Sequence, residues 1–222
     1  MKWSDAKGVK RMLSVHGRKP AAVVVEPVAK GLLGIGLTPN LTTLIGTFAT
    51  MIAMVVLIPT GHLVAAAVLS TVFAAFDMVD GTMARLRGGG TAFGATLDAS
   101  CDRLTDGALF GAIAMWLVYV ENAPAVHVAA CLAVLVLSQT ISYIKARAEA
   151  GGLKVIGGLI ERPERLILAL GGLALEGFGV HNAVVVSIWI LLVGSLVTVV
   201  QRLVFAARDG GADSKIAPPA GA

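Results

Sequence analysis

Long apolar runs separated by short polar breaks make up most of the chain. The first uncharged run covers 41–58, and further mainly apolar stretches lie at 62–76, 92–120, 125–144, 166–175 and 183–200. A helix of about 18 or more apolar residues can cross a bilayer. The second stretch reaches that length only by continuing through the aspartates after Phe76, and the fifth is only ten residues long. The pattern predicts an all-α integral membrane protein with six transmembrane helices.

A basic leader, residues 1–39, precedes the first apolar run. Near its end, one face of a helix would carry apolar side chains opposite Glu26 and Lys30, namely Val24, Val25, Val28 and Leu32. Amphipathic helices of this kind lie at the surface of anionic membranes. We therefore predict an interfacial juxtamembrane helix, the alternative being an unstructured leader that runs into the first span. The six-helix domain would cover 40–207, and the Gly/Ala/Pro-rich tail, 208–222, is predicted to be disordered.

Charged residues are scarce. Only 14% of the 222 residues are charged and 56% are hydrophobic, whereas soluble domains carry about 25% charged residues. The turns near Pro59, Pro124 and Gly179 contain no Lys or Arg, and all 18 basic residues lie on the other side of the predicted topology. The positive-inside rule therefore predicts a multi-pass protein of the cell membrane with both termini in the cytoplasm. The net charge of +4 reflects this topology and does not indicate nucleic-acid binding.

Charged residues within the predicted helices cluster near the cytoplasmic ends, where ionisable groups usually mark a functional cavity. Asp77 and Asp80 end the second helix on one face, and Asp98 and Asp102 begin the third on one face. The turn "RGGGT" would bring the four carboxylates together. Converging carboxylates need cations, and their oxygens suit hard ions such as Mg²⁺ or Mn²⁺, two of which can clamp a phosphoryl group. The alternative is that each aspartate pairs with a nearby arginine.

The segment "DMVDGTMARLRGGGTAFGATLDASCD" resembles the signature of the CDP-alcohol phosphotransferases, DxxDGxxAR…GxxxDxxxD. Every fixed position of that signature is filled, by Asp77, Asp80, Gly81, Ala84, Arg85, Gly94, Asp98 and Asp102. The resemblance implies a six-helix membrane enzyme, usually a homodimer, that moves a phosphoalcohol from a CDP-linked donor to an acceptor hydroxyl. It also implies two divalent ions, Mg²⁺ or alternatively Mn²⁺, with four ligands: Asp77, Asp80, Asp98 and Asp102.

Individual roles follow from the same resemblance. Asp98 would bridge the two ions, and Asp102 would act as general base on the acceptor hydroxyl, with nucleophilic attack by an aspartate as the competing role. Gly81 would leave room for the cytidine. The resemblance assigns the binding of CDP-diacylglycerol to eight residues: Asn40, Leu41, Thr42, Thr43, Gly81, Ala84, Arg85 and Thr91.

Within the family, the chain is most similar to members that use an inositol phosphate as acceptor. The similarity extends over "GLTPNLTTLIGT", "SQTISYIKARAEAGGL", "IERPERLI" and "VQRL", although Asn40 stands where that subgroup is expected to carry Asp. A phosphomonoester requires a basic cluster. The resemblance assigns the acceptor phosphate to Ser142, Lys145, Arg162, Arg165 and Arg202. The alternative is that Arg165 pairs with Glu161 while the other basic side chains extend to the membrane surface.

The charge distribution predicts an active site on the cytoplasmic side, and the resemblance implies an enzyme of phospholipid biosynthesis. The expected reaction transfers the phosphatidyl group of CDP-diacylglycerol to 1D-myo-inositol 3-phosphate, giving phosphatidylinositol phosphate and CMP. One alternative is the same chemistry with glycerol 3-phosphate as acceptor. Another is a cation- or proton-coupled transporter with the aspartates as a relay, which the scarcity of charge in the outer halves of the helices disfavours.

Overall fold

A computed structural model describes residues 18–74 and 76–215, with side chains described from residue 25 onwards except at 75 and 77. The predicted leader up to residue 17 and the tail from 216 lie outside the described residues. Within the described part the regular structure is entirely helical, as predicted. Its eight helices are α1 Arg18–Gly34, α2 Pro39–Leu57, α3 Leu63–Ala74, α4 Phe76–Leu86, α5 Ala92–Tyr119, α6 Ala125–Ala150, α7 Arg162–Gly177 and α8 Ala183–Ala207.

In the part of the chain that the structure describes, four helical segments are long and apolar enough to cross a membrane: Pro39–Leu57, Leu63–Leu86, Ala125–Ala150 and Ala183–Ala207. The second joins α3 and α4, so this segment does continue into the aspartate-bearing stretch. Helix α7 has only 16 residues, and the first half of α5 carries several charged side chains. Several membrane-spanning helices are therefore supported, whereas the six-span topology stays a prediction.

Residues up to 48, together with 73–101, form one compact unit. In this unit α1 packs against α4 around three buried side chains, those of Ala29, Val79 and Met83. Val25 and Leu32, from the predicted apolar face, contact this cluster, whereas Glu26 and Lys30 form an exposed ion pair of 2.7 Å. The predicted helix is present and amphipathic, and part of its apolar face packs inside the unit. Its position at the membrane surface stays a prediction.

The second unit contains 49–72 and the described residues from 102 onwards. Helices α6 and α7 pack along α8. Its core includes the large, fully buried side chains of Met54, Phe110, Ile113, Leu173, Ile188 and Leu191. Helix α7 begins with a capping box, in which the Glu164 side chain accepts the Glu161 backbone N–H at 3.1 Å. This cap satisfies backbone donors at the start of the helix that carries Arg162 and Arg165.

The contact between α7 and α8 gives a direct test of the packing. A Cβ at Gly172 would lie 2.4 Å from Ser187 Oγ and 2.8 Å from Ser187 Cβ, whereas a Cβ at Gly171 would have no atom within 4 Å. We expect Gly172→Ala to lower the free energy of unfolding by about 1–3 kcal/mol through overpacking. Gly171→Ala should raise it by about 0.5–1 kcal/mol because alanine favours the helix. Thermal unfolding of both variants in detergent tests this, and equal shifts would contradict the close approach of the two helices.

Candidate active site

A cavity of about 750 Å³ lies in the first unit, between the start of α2, helix α4, and the turn that leads into α5. Five of the eight residues predicted to bind the nucleotide donor line it: Asn40, Thr43, Gly81, Ala84 and Thr91. Two of the predicted metal ligands, Asp80 and Asp98, line the same cavity. The structure therefore brings the main parts of the predicted donor site together within one unit.

The other three predicted donor residues have different surroundings and are not among the lining residues. Leu41 is exposed, and Thr42 donates its buried hydroxyl to the Thr38 carbonyl oxygen at 3.1 Å. Arg85 donates from Nη2 to Thr82 Oγ1 at 2.7 Å on an exposed surface. Arg87, which we did not predict, lines the cavity instead. The only signal for Arg87 in the sequence is a second arginine just beyond the end of the DxxDGxxAR motif.

Threonine side chains connect the first turn of α2 to α4. Thr43 Oγ1 lies within hydrogen-bond distance of the Pro39 carbonyl oxygen and of the buried Asp80 carboxylate, and its one proton is shared between these two acceptors. Thr42 Oγ1 lies 3.5 Å from Met83 Sδ. Because these contacts hold the start of α2 on the face of α4 that carries Asp80, the threonines of "PNLTT" shape the cavity even where they do not line it.

The turn predicted between α4 and α5 is present at 87–91. Gly88 and Gly89 have φ values of 93° and 132°, a region that favours glycine, and this allows the sharp reversal. Thr91 Oγ1 accepts the Gly94 backbone N–H at 2.9 Å, which caps the start of α5. Gly94 is close-packed, since a Cβ there would lie 3.1 Å from Thr91 Oγ1 and 3.2 Å from Asn40 Oδ1. The signature glycine therefore allows Asn40, Thr91 and α5 to approach one another.

The carboxylates in the cavity are candidate ligands for a metal ion. Asp80 and Asp98 both supply carboxylates, the ligands that Mg²⁺ and Mn²⁺ prefer. Among the described side chains, no three His, Cys, Asp or Glu groups lie close enough together to hold a metal ion. The side chain of Asp77, the third predicted ligand from this unit, lies outside the described residues. The donor chemistry fits a divalent cation, and the full set of four ligands stays a prediction.

In the second unit, Asp102 faces two arginines. Its Oδ1 lies 2.7 Å from Arg162 Nη2, and its Oδ2 lies 3.9 Å from Arg103 Nη2. Asp102 therefore does pair with arginine, which we considered above as the alternative to metal binding by the aspartates. The pair also places Arg162, predicted to bind the acceptor phosphate, directly beside the predicted general base.

Arg165 is paired differently from the alternative we considered. Its partner is Asp106 rather than Glu161, with 2.6 Å between Arg165 Nη2 and Asp106 Oδ2. Both side chains are buried, at 1% and 0% exposure. Glu161 lies instead 3.7 Å from Arg202 Nη2. Proximity in the sequence favoured the Glu161 pair, but Glu161 serves in the cap of α7, and a buried arginine requires a partner inside the core.

The remaining predicted acceptor residues lie on α6 and α8. Ser142 Oγ donates to the Ser138 carbonyl oxygen, and the half-exposed Lys145 lies 3.9 Å from Glu149. Arg202 is buried and donates from Nη1 to the Ile141 carbonyl oxygen at 2.6 Å. It also donates from Nε to the Gly157 carbonyl oxygen at 3.2 Å. Arg202 therefore joins α8 to α6 just before Ser142, a role that the sequence did not reveal.

Comparisons with known proteins agree with the geometry. The family model described as CDP-alcohol phosphatidyltransferase matches residues 36–200. The phosphatidylinositol phosphate synthase of Corynebacterium glutamicum is 59% identical over 211 residues, which cover 95% of this chain and 96% of that relative.

Solved structures of the phosphatidylinositol phosphate synthase of Mycobacterium tuberculosis are also similar, at 47% identity. The structure with CDP-DAG bound has a TM-score of 0.85 and covers 89% of this chain and 100% of that one. The structure in complex with manganese and citrate has a TM-score of 0.83 and covers 87% of this chain and 93% of that one.

Proposed function

Because the chain belongs to the CDP-alcohol phosphatidyltransferase family, we propose that it is an enzyme that makes phosphatidylinositol phosphate. It transfers the phosphatidyl group of CDP-diacylglycerol to a hydroxyl of an inositol phosphate, 1D-myo-inositol 3-phosphate, and releases CMP. The observation that carries this proposal is the 59% identity to a phosphatidylinositol phosphate synthase over 95% of the chain. The filled aspartate signature supports the chemistry, and the buried arginines of the second unit support a phosphorylated acceptor.

Two divalent ions, Mg²⁺ or Mn²⁺, complete the proposed site. Asp77, Asp80, Asp98 and Asp102 hold them, an assignment that rests on the spacing of these residues in the signature. The solved relative with manganese supports a divalent cation. When bound, the ions neutralise the pyrophosphate of the donor and stabilise the charge of the departing CMP.

In this reaction, the side chains of the protein bind the CDP-diacylglycerol donor and accept one proton from the acceptor hydroxyl. The cytidine occupies the cavity of the first unit, where Gly81 has no side chain and Asn40 and Thr91 contribute polar atoms. Asp102 accepts the proton of the acceptor hydroxyl. The acceptor oxygen then bonds to the phosphorus that carries diacylglycerol, and the bond from that phosphorus to the CMP oxygen breaks.

The acceptor phosphate is bound by basic side chains from three helices, with Ser142 beside them. Lys145 comes from α6, Arg162 and Arg165 from α7, and Arg202 from α8. Arginine can donate two parallel hydrogen bonds to a phosphate, which also orients the acceptor. Uncharged inositol offers these basic side chains no negative charge to bind, which favours the phosphorylated acceptor.

We place the active site and both termini on the cytoplasmic side of the cell membrane, with α1 at the membrane surface. The distribution of the 18 basic residues supports this orientation. The six-helix topology and a homodimer are proposed by analogy with the family.

Gly81 offers a test of the donor site that separates stability from activity. A Cβ at this position would meet only Arg85 Nη1, at an ordinary 3.8 Å, among the described residues. We expect Gly81→Ala to keep or raise the melting temperature, because alanine favours the helix by about 0.5–1 kcal/mol. The KM for CDP-diacylglycerol should nevertheless rise, since the methyl group occupies space in the cavity. Gly111→Ala, another helical glycine with open space around it, is the control and should change only stability. An unchanged donor KM in Gly81→Ala would contradict the proposed cytidine position.

An acceptor panel tests the proposed function itself. Purified protein in detergent or liposomes is given CDP-diacylglycerol with inositol phosphate, glycerol 3-phosphate or myo-inositol, with Mg²⁺, Mn²⁺ or a chelator, and CMP is measured. We expect CMP release that depends on the metal and is fastest with inositol phosphate. Faster release with glycerol 3-phosphate would identify the other acceptor. No CMP release with any acceptor would refute the enzyme, and the comparisons offer no support for the transporter alternative.

A further inference from the structure

A buried carboxylate that belongs to neither the proposed metal site nor the donor site lies behind the acceptor arginines. Asp106, on α5, has no exposed surface. Its Oδ2 accepts a hydrogen bond from Arg165 Nη2 at 2.6 Å, and Arg103 Nη2 lies 3.6 Å from the same oxygen. One oxygen therefore contacts two guanidinium groups. We call Arg103, Asp106 and Arg165 the Asp106 cluster.

The Asp106 cluster carries two positive charges and one negative charge. The Arg165 side chain is only 1% exposed. A buried arginine strongly destabilises the folded protein unless a negative charge pairs with it and its N–H groups have hydrogen-bond acceptors. Nevertheless Nε and Nη1 of Arg165 are buried and have no hydrogen-bond partner among the described residues, and the same holds for Nε and Nη1 of Arg103. The second oxygen of Asp106, Oδ1, is also buried without a partner there, so the cluster has four unmatched donor nitrogens and one unmatched acceptor oxygen. The Asp102 carboxylate lies 3.9 Å from Arg103 Nη2, but it lies closer to Arg162, at 2.7 Å from Nη2. Buried unmatched donors together with excess positive charge indicate a site for an anion.

The shape of the guanidinium group explains what the carboxylate does. Its five N–H donors form a rigid planar fork, so a bond that fixes Nη2 restricts the direction of Nε and Nη1 as well. A phosphomonoester has several oxygens and nearly two negative charges, and it binds arginine most strongly through parallel hydrogen bonds. Asp106 holds the Arg165 fork by a hydrogen bond of 2.6 Å and attracts the Arg103 guanidinium across 3.6 Å, which preorganises the remaining donors of both for this ligand.

We propose that Asp106 is a positioning residue that orients Arg165 and Arg103 toward the phosphate of the acceptor, and that Arg103 is an additional ligand of this phosphate. The inference rests on the proposed function for the identity of the acceptor. Asp106 touches neither substrate in this scheme and acts only through the two arginines. The competing explanation is a structural ion pair that stabilises α5 against α7 and has no influence on the acceptor.

The test separates the KM for the acceptor from the KM for CDP-diacylglycerol. In Asp106→Asn the side chain keeps its shape and loses its charge, so we expect the KM for inositol phosphate to rise at least about tenfold. The KM for CDP-diacylglycerol should change by less than about twofold, because the donor site belongs to other residues. The control is Leu109→Ala, which removes a fully buried side chain one turn along α5. It should lower the melting temperature without changing the ratio of the two KM values. If both KM values rise together in Asp106→Asn, or neither changes, Asp106 is only structural.

Arg103→Gln provides a second test in case Asp106→Asn does not fold. The Arg103 side chain is 26% exposed, so its replacement disturbs the core less. We expect the KM for inositol phosphate to rise and that for CDP-diacylglycerol to stay unchanged. An unchanged acceptor KM would overturn the role of Arg103.

A binding measurement distinguishes failure of this inference from failure of the proposed function. Inorganic phosphate and inositol phosphate are added separately to wild type and to both variants, and the melting temperature is followed. We expect both to stabilise the wild type and to stabilise the variants much less. If the wild type releases no CMP with inositol phosphate, the proposed function fails, and the phosphate-dependent stabilisation still tests the Asp106 cluster. If CMP is released but stabilisation and acceptor KM are equal in wild type and variants, only the Asp106 inference fails.

Discussion

Replacing Asp102 with asparagine should lower the rate of CMP release by about 10²–10⁴-fold, the usual contribution of a general base. Asparagine preserves the shape of the side chain but cannot accept the proton of the acceptor hydroxyl. The proposed contact with the second metal ion would also weaken. Measurement of kcat at saturating CDP-diacylglycerol and inositol phosphate, over a range of Mg²⁺ concentrations, separates the two contributions, because excess metal restores only weakened metal binding.

The ion pair between Asp102 and Arg162 makes a control necessary. The two groups lie 2.7 Å apart, so Asp102→Asn leaves Arg162 without this counter-charge and affects stability as well as chemistry. Asp213→Asn makes the same chemical change at an exposed position and should leave both properties unchanged. A melting temperature is measured for each variant. If folded Asp102→Asn protein keeps its full rate, Asp102 is neither the base nor an essential metal ligand.

Replacing Arg165 with glutamine should raise the KM for inositol phosphate by about 10²-fold or more, because a buried, hydrogen-bonded charge is typically worth about 2–5 kcal/mol to the ligand it binds. The KM for CDP-diacylglycerol should change far less, since the proposed donor residues lie elsewhere. Steady-state kinetics with each substrate varied in turn, followed through CMP release, gives both values. Equal changes in the two KM values, or no change in either, would refute the proposed acceptor site.

The same substitution has a structural cost that must be measured alongside it. Removing Arg165 leaves the fully buried Asp106 without its closest partner, and breaking a buried ion pair costs about 3–5 kcal/mol. The double variant Arg165→Gln with Asp106→Asn replaces the pair by two amides and should recover much of this stability. Its acceptor KM should stay high, because the charge that binds phosphate is still missing. Arg208→Gln, at an exposed arginine after α8, is the control for the loss of one positive charge.

The helices were predictable because a membrane helix makes its backbone hydrogen bonds within its own segment, so an apolar run carries most of the information. Four long apolar segments match this expectation. The apolar pattern is less informative at α7, which has 16 residues, and at α5, which carries Asp98, Asp102 and Arg103 in its first half. In both helices, the charged residues of the proposed site shorten the apolar run that identifies a membrane-spanning helix.

Where the chemistry is local, the sequence motif and the cavity have residues in common. The signature identified Asp80, Gly81 and Asp98, and all three line the cavity. Asp106 lies outside the signature, and the structure pairs it with Arg165. Arg87 was missed because it follows the last position of its motif and nothing in the local sequence distinguishes a lining residue from an exposed one.

The sequence by itself determined the helical class of the protein, its family, and the residues whose chemistry suits a phosphoryl transfer. These properties depend on apolar runs and on fixed spacings within one or two neighbouring helices. Only the tertiary structure decided the partners of the buried arginines: Arg165 pairs with Asp106 across 59 residues, and Arg202 binds the carbonyl of Ile141 across 61. A buried charge is stabilised by whichever group the packing of the helices places beside it, and that choice depends on contacts distant in the sequence.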